Sequence, residues 1–195
     1  MEQLDEMENE MAKEIGNIGS GRIGMAISQN TGAEIVIDVT RTYIFTEEKF
    51  SSLFDYLDKN RYSLDFKMKE SKGGLLVMFP RDTDNMVVVK MRSKDKKSLT
   101  AMSTSYAVSC KDYLSIEDSF EFSKQYSKLG VDILKDVFIS EGEKEVAKEG
   151  KVFLIDTRFC WKGKDDKTGH IFLYFCNDGA DMVLQKITDK VKEMM

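Results

Sequence analysis

At 195 residues, 42% hydrophobic and 32% charged with one proline, the chain has an ordinary globular composition and enough length for one good-sized core. A net charge of −5, with a single short basic cluster at Arg92-Ser-Lys-Asp-Lys-Lys97, argues against a surface built for nucleic acid, which needs a long basic stripe. Cys110, Cys160 and Cys176 lie too far apart for a zinc or redox motif, the N-terminus is acidic, and no apolar run reaches membrane-spanning length, so a cytoplasmic protein without membrane insertion is expected.

Between about residues 5 and 30, Met7, Met11, Ile15, Ile18 and Met25 recur at helical spacings and predict a long amphipathic helix with these side chains on one apolar face. Residues 33–45, rich in Ile, Val and Thr, predict a strand, and Phe50, Leu53, Phe54 and Leu57 a short helix after it. Two more strands are expected at 62–68 and 74–79. Glu70-Ser-Lys-Gly-Gly74 forms the turn between them, because adjacent glycines reach the positive φ that hairpin turns demand. Residues 84–98 are ambiguous: Met86-Val-Val-Val89 favours strand locally, whereas tertiary context can impose a helix. A second amphipathic helix is expected over 116–139, with Phe122, Tyr126, Leu129 and Ile133 on one face. Strands at 151–161 and 169–176 then flank a polar turn, and 178–195 forms a closing helix.

Internal similarity suggests a duplication. Glu10-Met-Ala-Lys-Glu-Ile-Gly-Asn-Ile-Gly19 aligns with Glu121-Phe-Ser-Lys-Gln-Tyr-Ser-Lys-Leu-Gly130, 111 residues on, and residues 78–87 align with 174–183, 96 residues on. The expected organisation is one domain over 1–195, with a first repeat over about 5–100 and a second over about 113–195.

Chemistry concentrates on the first helix. At 3.6 residues per turn, Glu10, Glu14, Asn17 and Gly21 fall within one narrow arc, so two carboxylates and an amide project together. The run Gly16-Asn-Ile-Gly-Ser-Gly21 is costly, since each glycine in a helix interior loses about 0.8–1 kcal/mol relative to alanine. Close approach of a packed strand or of a docked partner would explain it. A dinucleotide or phosphate loop does not fit, because these glycines follow several helical turns instead of a strand. The only histidine, His170, begins a predicted strand and reads as structural, and Glu10 and Glu14 lack further ligands for a metal site.

The run Glu14-Ile-Gly-Asn-Ile-Gly-Ser-Gly21, followed by Ala26-Ile-Ser28 and a strand, resembles the signature of the CheC, CheX and FliY phosphatases of chemotaxis, CheC-like members most of all. The family pattern is Asp or Ser, three residues, Glu, two residues, Asn, and a proline 23 positions beyond the Asn. Glu14 and Asn17 hold the central positions, whereas Glu10 stands where Asp or Ser is usual and Thr40 where proline is usual. The segment 74–79 with Asp82, and 169–175, are also similar to the family.

The resemblance implies a pseudo-two-fold α+β fold, with two long helices packed on a shared, mostly antiparallel sheet. It implies a hydrolase that removes phosphate from a phosphorylated CheY-type response regulator. Asn17 would orient the attacking water, Glu14 would pair with the regulator's lysine, and Glu10, Gly21 and Thr40 would belong to the docking surface. The second copy, with Gln125 and Lys128 in the corresponding places, would be a degenerate site. No cofactor is expected beyond Mg²⁺ held by the regulator. The alternative is an adaptor that docks a response regulator or the receptor deamidase CheD. Homodimerisation, as in CheX-like members, stays open. A flagellar switch component is less expected, because the chain ends soon after its second repeat.

Overall fold

The computed structural model describes residues 4–46, 61–80, 83–126 and 150–195. Helix α1 runs Glu6–Thr31 and starts on a capping box in which Asp5 accepts the Glu8 N–H and Glu8 accepts the Asp5 N–H. It stops at Gly32, whose φ of 76° is the left-handed conformation that closes a helix and that glycine adopts without strain. Its buried face differs from the expected one. Ala12, Ile15, Gly16, Gly19, Ser20, Ile23, Gly24 and Ile27 point inward, while Met7 and Met25 are 46% and 62% exposed. The small residues win the interior because they let the helix axis settle close to the sheet, which methionines would hold away.

Strands β1 (Ile35–Thr46), β2 (Ser63–Met68) and β3 (Gly73–Met78) follow, then helices α2 (Asn85–Arg92) and α3 (Lys96–Leu114). Strands β4 (Phe120–Tyr126), β5 (Lys151–Trp161) and β6 (Lys164–Cys176) precede the last helix, α4 (Asp178–Met194). All pairings are antiparallel in one six-stranded sheet of order β1-β5-β6-β3-β2-β4. Read from its centre outward, that order is β3-β2-β4 on one side and β6-β5-β1 on the other. Among the described residues each half contributes a long helix, three strands and a further helix, and the outermost strands are exchanged between halves, which is a pseudo-two-fold α+β architecture.

The core lies between the sheet and the helices, around Ile15, Ile23, Phe66, Tyr106, Phe153, Ile155, Phe159 and Phe175. The opposite face is buried too, with Leu76, Met78, Leu154, Phe172 and Tyr174 at most 2% exposed. His170 belongs to that second layer, its Nδ1 2.9 Å from Asp156 Oδ1 and its ring stacked on Phe172, consistent with a structural residue.

One ambiguity is resolved and several local expectations are corrected. Met86-Val-Val-Val89 is helical, because Val87 and Met91 of α2 sink into the core and Asp84 caps the first turn. Residues 120–126, expected within a second helix, form β4; the long second helix is α3, whose many Ser and Thr residues obscure its period. Its signals were present as the N-cap Asp95, bonded to Ser98 N–H, and as Leu99, Met102, Tyr106, Cys110 and Leu114 at helical spacing. The second half therefore begins near Lys96, and the match of 10–19 to 121–130 sets a helix against β4 over 121–126, the rest of that segment lying outside the described residues. The match of 78–87 to 174–183 pairs like with like, since both segments join a strand end to a helix start. Gly73 and Gly74 have ordinary φ and lie inside β3, where a β-carbon on Gly74 would come within 2.6 Å of the Phe66 carbonyl. The turn before them is held by Asp118, whose carboxylate accepts the backbone N–H groups of Lys69, Glu70 and Ser71. The helix expected around Phe50 to Leu57 and the residues Asp82 and Lys128 lie outside the described residues.

Candidate functional site

Helix α1 crosses the sheet antiparallel to β1, and a β-bulge sets which β1 residues face it. Ile37 pairs with Phe159 and Thr40 with Thr157, so three steps on β1 match two on β5. One extra residue reverses the inward parity of the strand. Ile35 and Ile37 face the helix before the bulge, near Gly24, and Thr40 and Thr42 face it afterwards. The bulge thereby brings Thr40 under Gly16 and Asn17. A β-carbon on Gly16 would stand 2.7 Å from Thr40 Cγ2 and 2.5 Å from Ile155 Cγ2, so this glycine is required by the sheet. Gly19 is required by Tyr106 of α3, whose ring lies 2.6 Å from the place a β-carbon would occupy. Gly21 has no such neighbour within 4 Å.

On the outer side of this contact, Glu14 and Asn17 are both exposed, one turn apart. Among the described residues Glu14 makes no hydrogen bond or ion pair. Asn17 differs: its Oδ1 accepts from Thr40 Oγ1 at 2.5 Å, and Thr40 Oγ1 lies 2.9 Å from Thr157 Oγ1. Thr40 is 5% exposed and Thr157 fully buried, so a short hydroxyl chain runs from the interior to the carboxamide. Thr40, expected on the docking surface, is therefore behind it. Glu10 is exposed and pairs with Lys13 at 2.7 Å, about one turn before Glu14 on the same arc. Arg22 ties α1 to α3 through Ser109 at 3.0 Å and Asp112 at 3.8 Å, which stiffens the helix just beyond the glycines.

The corresponding place in the second half is on α3. Both long helices end on a left-handed residue, Gly32 at φ 76° and Ser115 at φ 52°, so equivalent positions are 83 residues apart. That spacing sets Lys97 against Glu14 and Thr100 against Asn17. Thr100 Oγ1 accepts the Phe122 N–H of β4 at 3.0 Å, a strand contact like that of Asn17 with β1. Gln125, expected as half of a degenerate site on a helix, instead sits on β4 and accepts from the Tyr62 hydroxyl at 2.8 Å.

Glu14 and Asn17 stand exposed on the outer face of α1. Clefts of about 330 and 300 Å³ occur elsewhere, one bordered by Glu8, Lys151 and Thr188, the other by Thr31, Met86 and Trp161. Neither of these two clefts includes Glu14 or Asn17. Among the described residues no group of three or more His, Cys, Asp or Glu could hold a metal ion, and no helix is long and apolar enough to cross a membrane.

No protein-family model matches the chain, and no curated protein matches its sequence. Solved structures do match its fold. FliY of Thermotoga maritima superposes with a TM-score of 0.64 at 15% identity, over 100% of both chains. The FliM middle domain of H. pylori gives 0.57 at 12% identity, over 94% of this chain and 99% of that one. A chain of the FliG–FliM complex from H. pylori gives 0.56 at 10% identity, over 93% and 100%. The chain thus has the fold of FliY and of the FliM middle domain, and FliY is one of the proteins whose signature its N-terminal helix resembles.

Proposed function

We propose that this protein removes phosphate from a phosphorylated CheY-type response regulator, using Glu14 and Asn17 of α1. The observation that carries the reading is the placement of a partner-free carboxylate and an exposed carboxamide one turn apart on a helix seated closely on the sheet. An aspartyl phosphate has a good leaving group, so catalysis needs mainly a water held in line with the scissile bond. The water oxygen attacks phosphorus, the bond from phosphorus to the aspartyl oxygen breaks, and phosphate and the free carboxylate leave, with the water's protons passing to phosphate and solvent. Asn17 holds that water. Glu14 pairs with a lysine at the rim of the regulator's site and sets the register of the helix. Glu10 and Gly21, on the same arc, shape the approach, and Gly21 lets a partner backbone come close. Any Mg²⁺ belongs to the regulator. Lys97 and Thr100 carry neither a carboxylate nor a carboxamide, so one site works.

A second reading is favoured by the likeness to the FliM middle domain: an adaptor that docks a regulator, or a deamidase of the CheD type, without chemistry. The two separate in one assay. Receiver domains phosphorylated by a small phosphodonor are mixed with substoichiometric protein, and loss of acyl phosphate is followed. Acceleration that falls about 100-fold or more in Asn17→Ala supports the phosphatase. Glu14→Gln should weaken the interaction about tenfold or more. Both side chains are exposed, so both variants should fold. Binding with an unchanged phosphate lifetime supports the adaptor.

A further inference from the structure

Thr40 stands where the family signature has proline, and its hydroxyl does something a proline could not. It donates to Asn17 Oδ1 at 2.5 Å and lies 2.9 Å from Thr157 Oγ1. A hydroxyl has one proton. With that proton on Asn17, Thr157 is the donor to Thr40, and the chain runs Thr157 to Thr40 to Asn17 Oδ1 in one direction. The lone pairs of the carboxamide are then partly engaged on the protein side, and its amino group is turned away from the sheet.

We infer that Thr40 is a positioning residue: it fixes the Asn17 carboxamide so that the Nδ2 amino group, a donor, is the end presented to the docked partner. This rests on the phosphatase reading for its kinetic consequence, though not for its geometry. The amide N–H would then hold the attacking water through one lone pair of the water oxygen and leave another for phosphorus. The features that place Thr40 are all local to this chain. The bulge between Ile37 and Thr40 sets the strand parity, Gly16 lets α1 close onto Thr40 Cγ2, and the position is 5% exposed, so solvent does not compete for the hydroxyl. The β-branched side chain adds stiffness, because few χ1 rotamers are open to it beneath a packed helix.

The test compares Thr40→Val, which keeps shape and removes the hydroxyl, with Thr40→Ser, which keeps the hydroxyl, in the 195-residue chain. Two readouts are taken. The first needs no activity: the side-chain amide resonances of Asn17 in ¹H–¹⁵N spectra. In wild type and Thr40→Ser they should be displaced from the positions of a free carboxamide, and in Thr40→Val they should return to them. The second is the steady-state kinetics of regulator dephosphorylation. Thr40→Val should lower kcat about tenfold with KM changed less than about twofold, and Thr40→Ser should recover most of the loss, since misplacing a catalytic group acts on the chemical step and not on docking. Thermal melting shows whether each variant folds. Should Thr40→Val misfold, Thr157→Val, which breaks the chain one link further in, takes its place with the same expected signs. Unchanged Asn17 resonances in a folded Thr40→Val overturn the inference, as does a Thr40→Ser variant as impaired as Thr40→Val. A wild-type protein inactive on every receiver, with the resonances behaving as expected, overturns the phosphatase reading and leaves the positioning intact.

Discussion

Two glycines on one turn and a half of α1 should respond to the same substitution with opposite signs. Gly16→Ala places a methyl group 2.5 Å from Ile155 Cγ2 and 2.7 Å from Thr40 Cγ2, where ordinary contact begins near 3.4 Å. Both neighbours are β-branched residues on paired strands, so neither swings away cheaply. The helix must lift by roughly 1 Å, at an overpacking cost of about 1–3 kcal/mol. Against that stands about 0.8–1 kcal/mol of improved helix propensity. The net expectation is a loss of between about 0 and 2 kcal/mol. Gly21→Ala meets nothing within 4 Å and keeps only the gain, about 0.8–1 kcal/mol of added stability. Urea unfolding followed by circular dichroism measures both, and for a chain of this size each kcal/mol moves the melting temperature by about 2–4 °C. Gly21→Ala should also weaken regulator docking, because it adds bulk on the Glu14–Asn17 line. Stabilisation by Gly16→Ala equal to that by Gly21→Ala would refute the seating of α1 on Thr40 and Ile155.

The remaining expectations concern the rest of the fold. Burial alone would raise the Asp118 carboxyl, but hydrogen bonds from Ser71, Ser119 and Glu70 outweigh it and hold the group below the usual carboxylate range. A depressed folded value means the stabilisation is present above the unfolded pKa and is lost as pH falls through the folded one. The stability gap between wild type and Asp118→Asn should therefore be full near neutrality and close as acid is added below about pH 4. A gap that widens in acid contradicts this. Cys110 is 1% exposed, and burial, with the Asp118 carboxylate adding to it, pushes its thiol up to about 12. Iodoacetamide at pH 8 should label it only after unfolding, which peptide mass spectrometry would show; rapid labelling of the native protein would disprove the burial.

Much of the candidate site was legible because it depends on one helix. Periodicity alone places Glu14 and Asn17 one turn apart, and a helix keeps that relation wherever it packs. Asp5 and Gly32 cap that helix, and apolar runs bounded by turn residues mark β2, β3, β5 and most of β6. Segments whose local preference is weak or contrary are not settled by the sequence. Met86-Val-Val-Val89 is helical because Val87 and Met91 have a core to enter, and 120–126 is a strand because β2 offers it an edge. For the same reason the sequence points to Gln125 and Lys128 for the degenerate half, whereas matching helix ends bring Lys97 and Thr100 to the corresponding place.

By itself the sequence determined that a carboxylate and a carboxamide project together from a long N-terminal helix, since helical pitch is a property of the backbone. Only the tertiary structure decided which face of that helix is buried. Met7 and Met25 are the more apolar choice, yet glycine, alanine and serine turn inward, because the free energy of closing the helix onto Ile155, Thr40 and Tyr106 depends on distance as well as on hydrophobicity. It also decided that Thr40 stands behind Asn17: one extra residue in β1 reverses the parity of every side chain after it, and that bulge exists only where β1 meets β5.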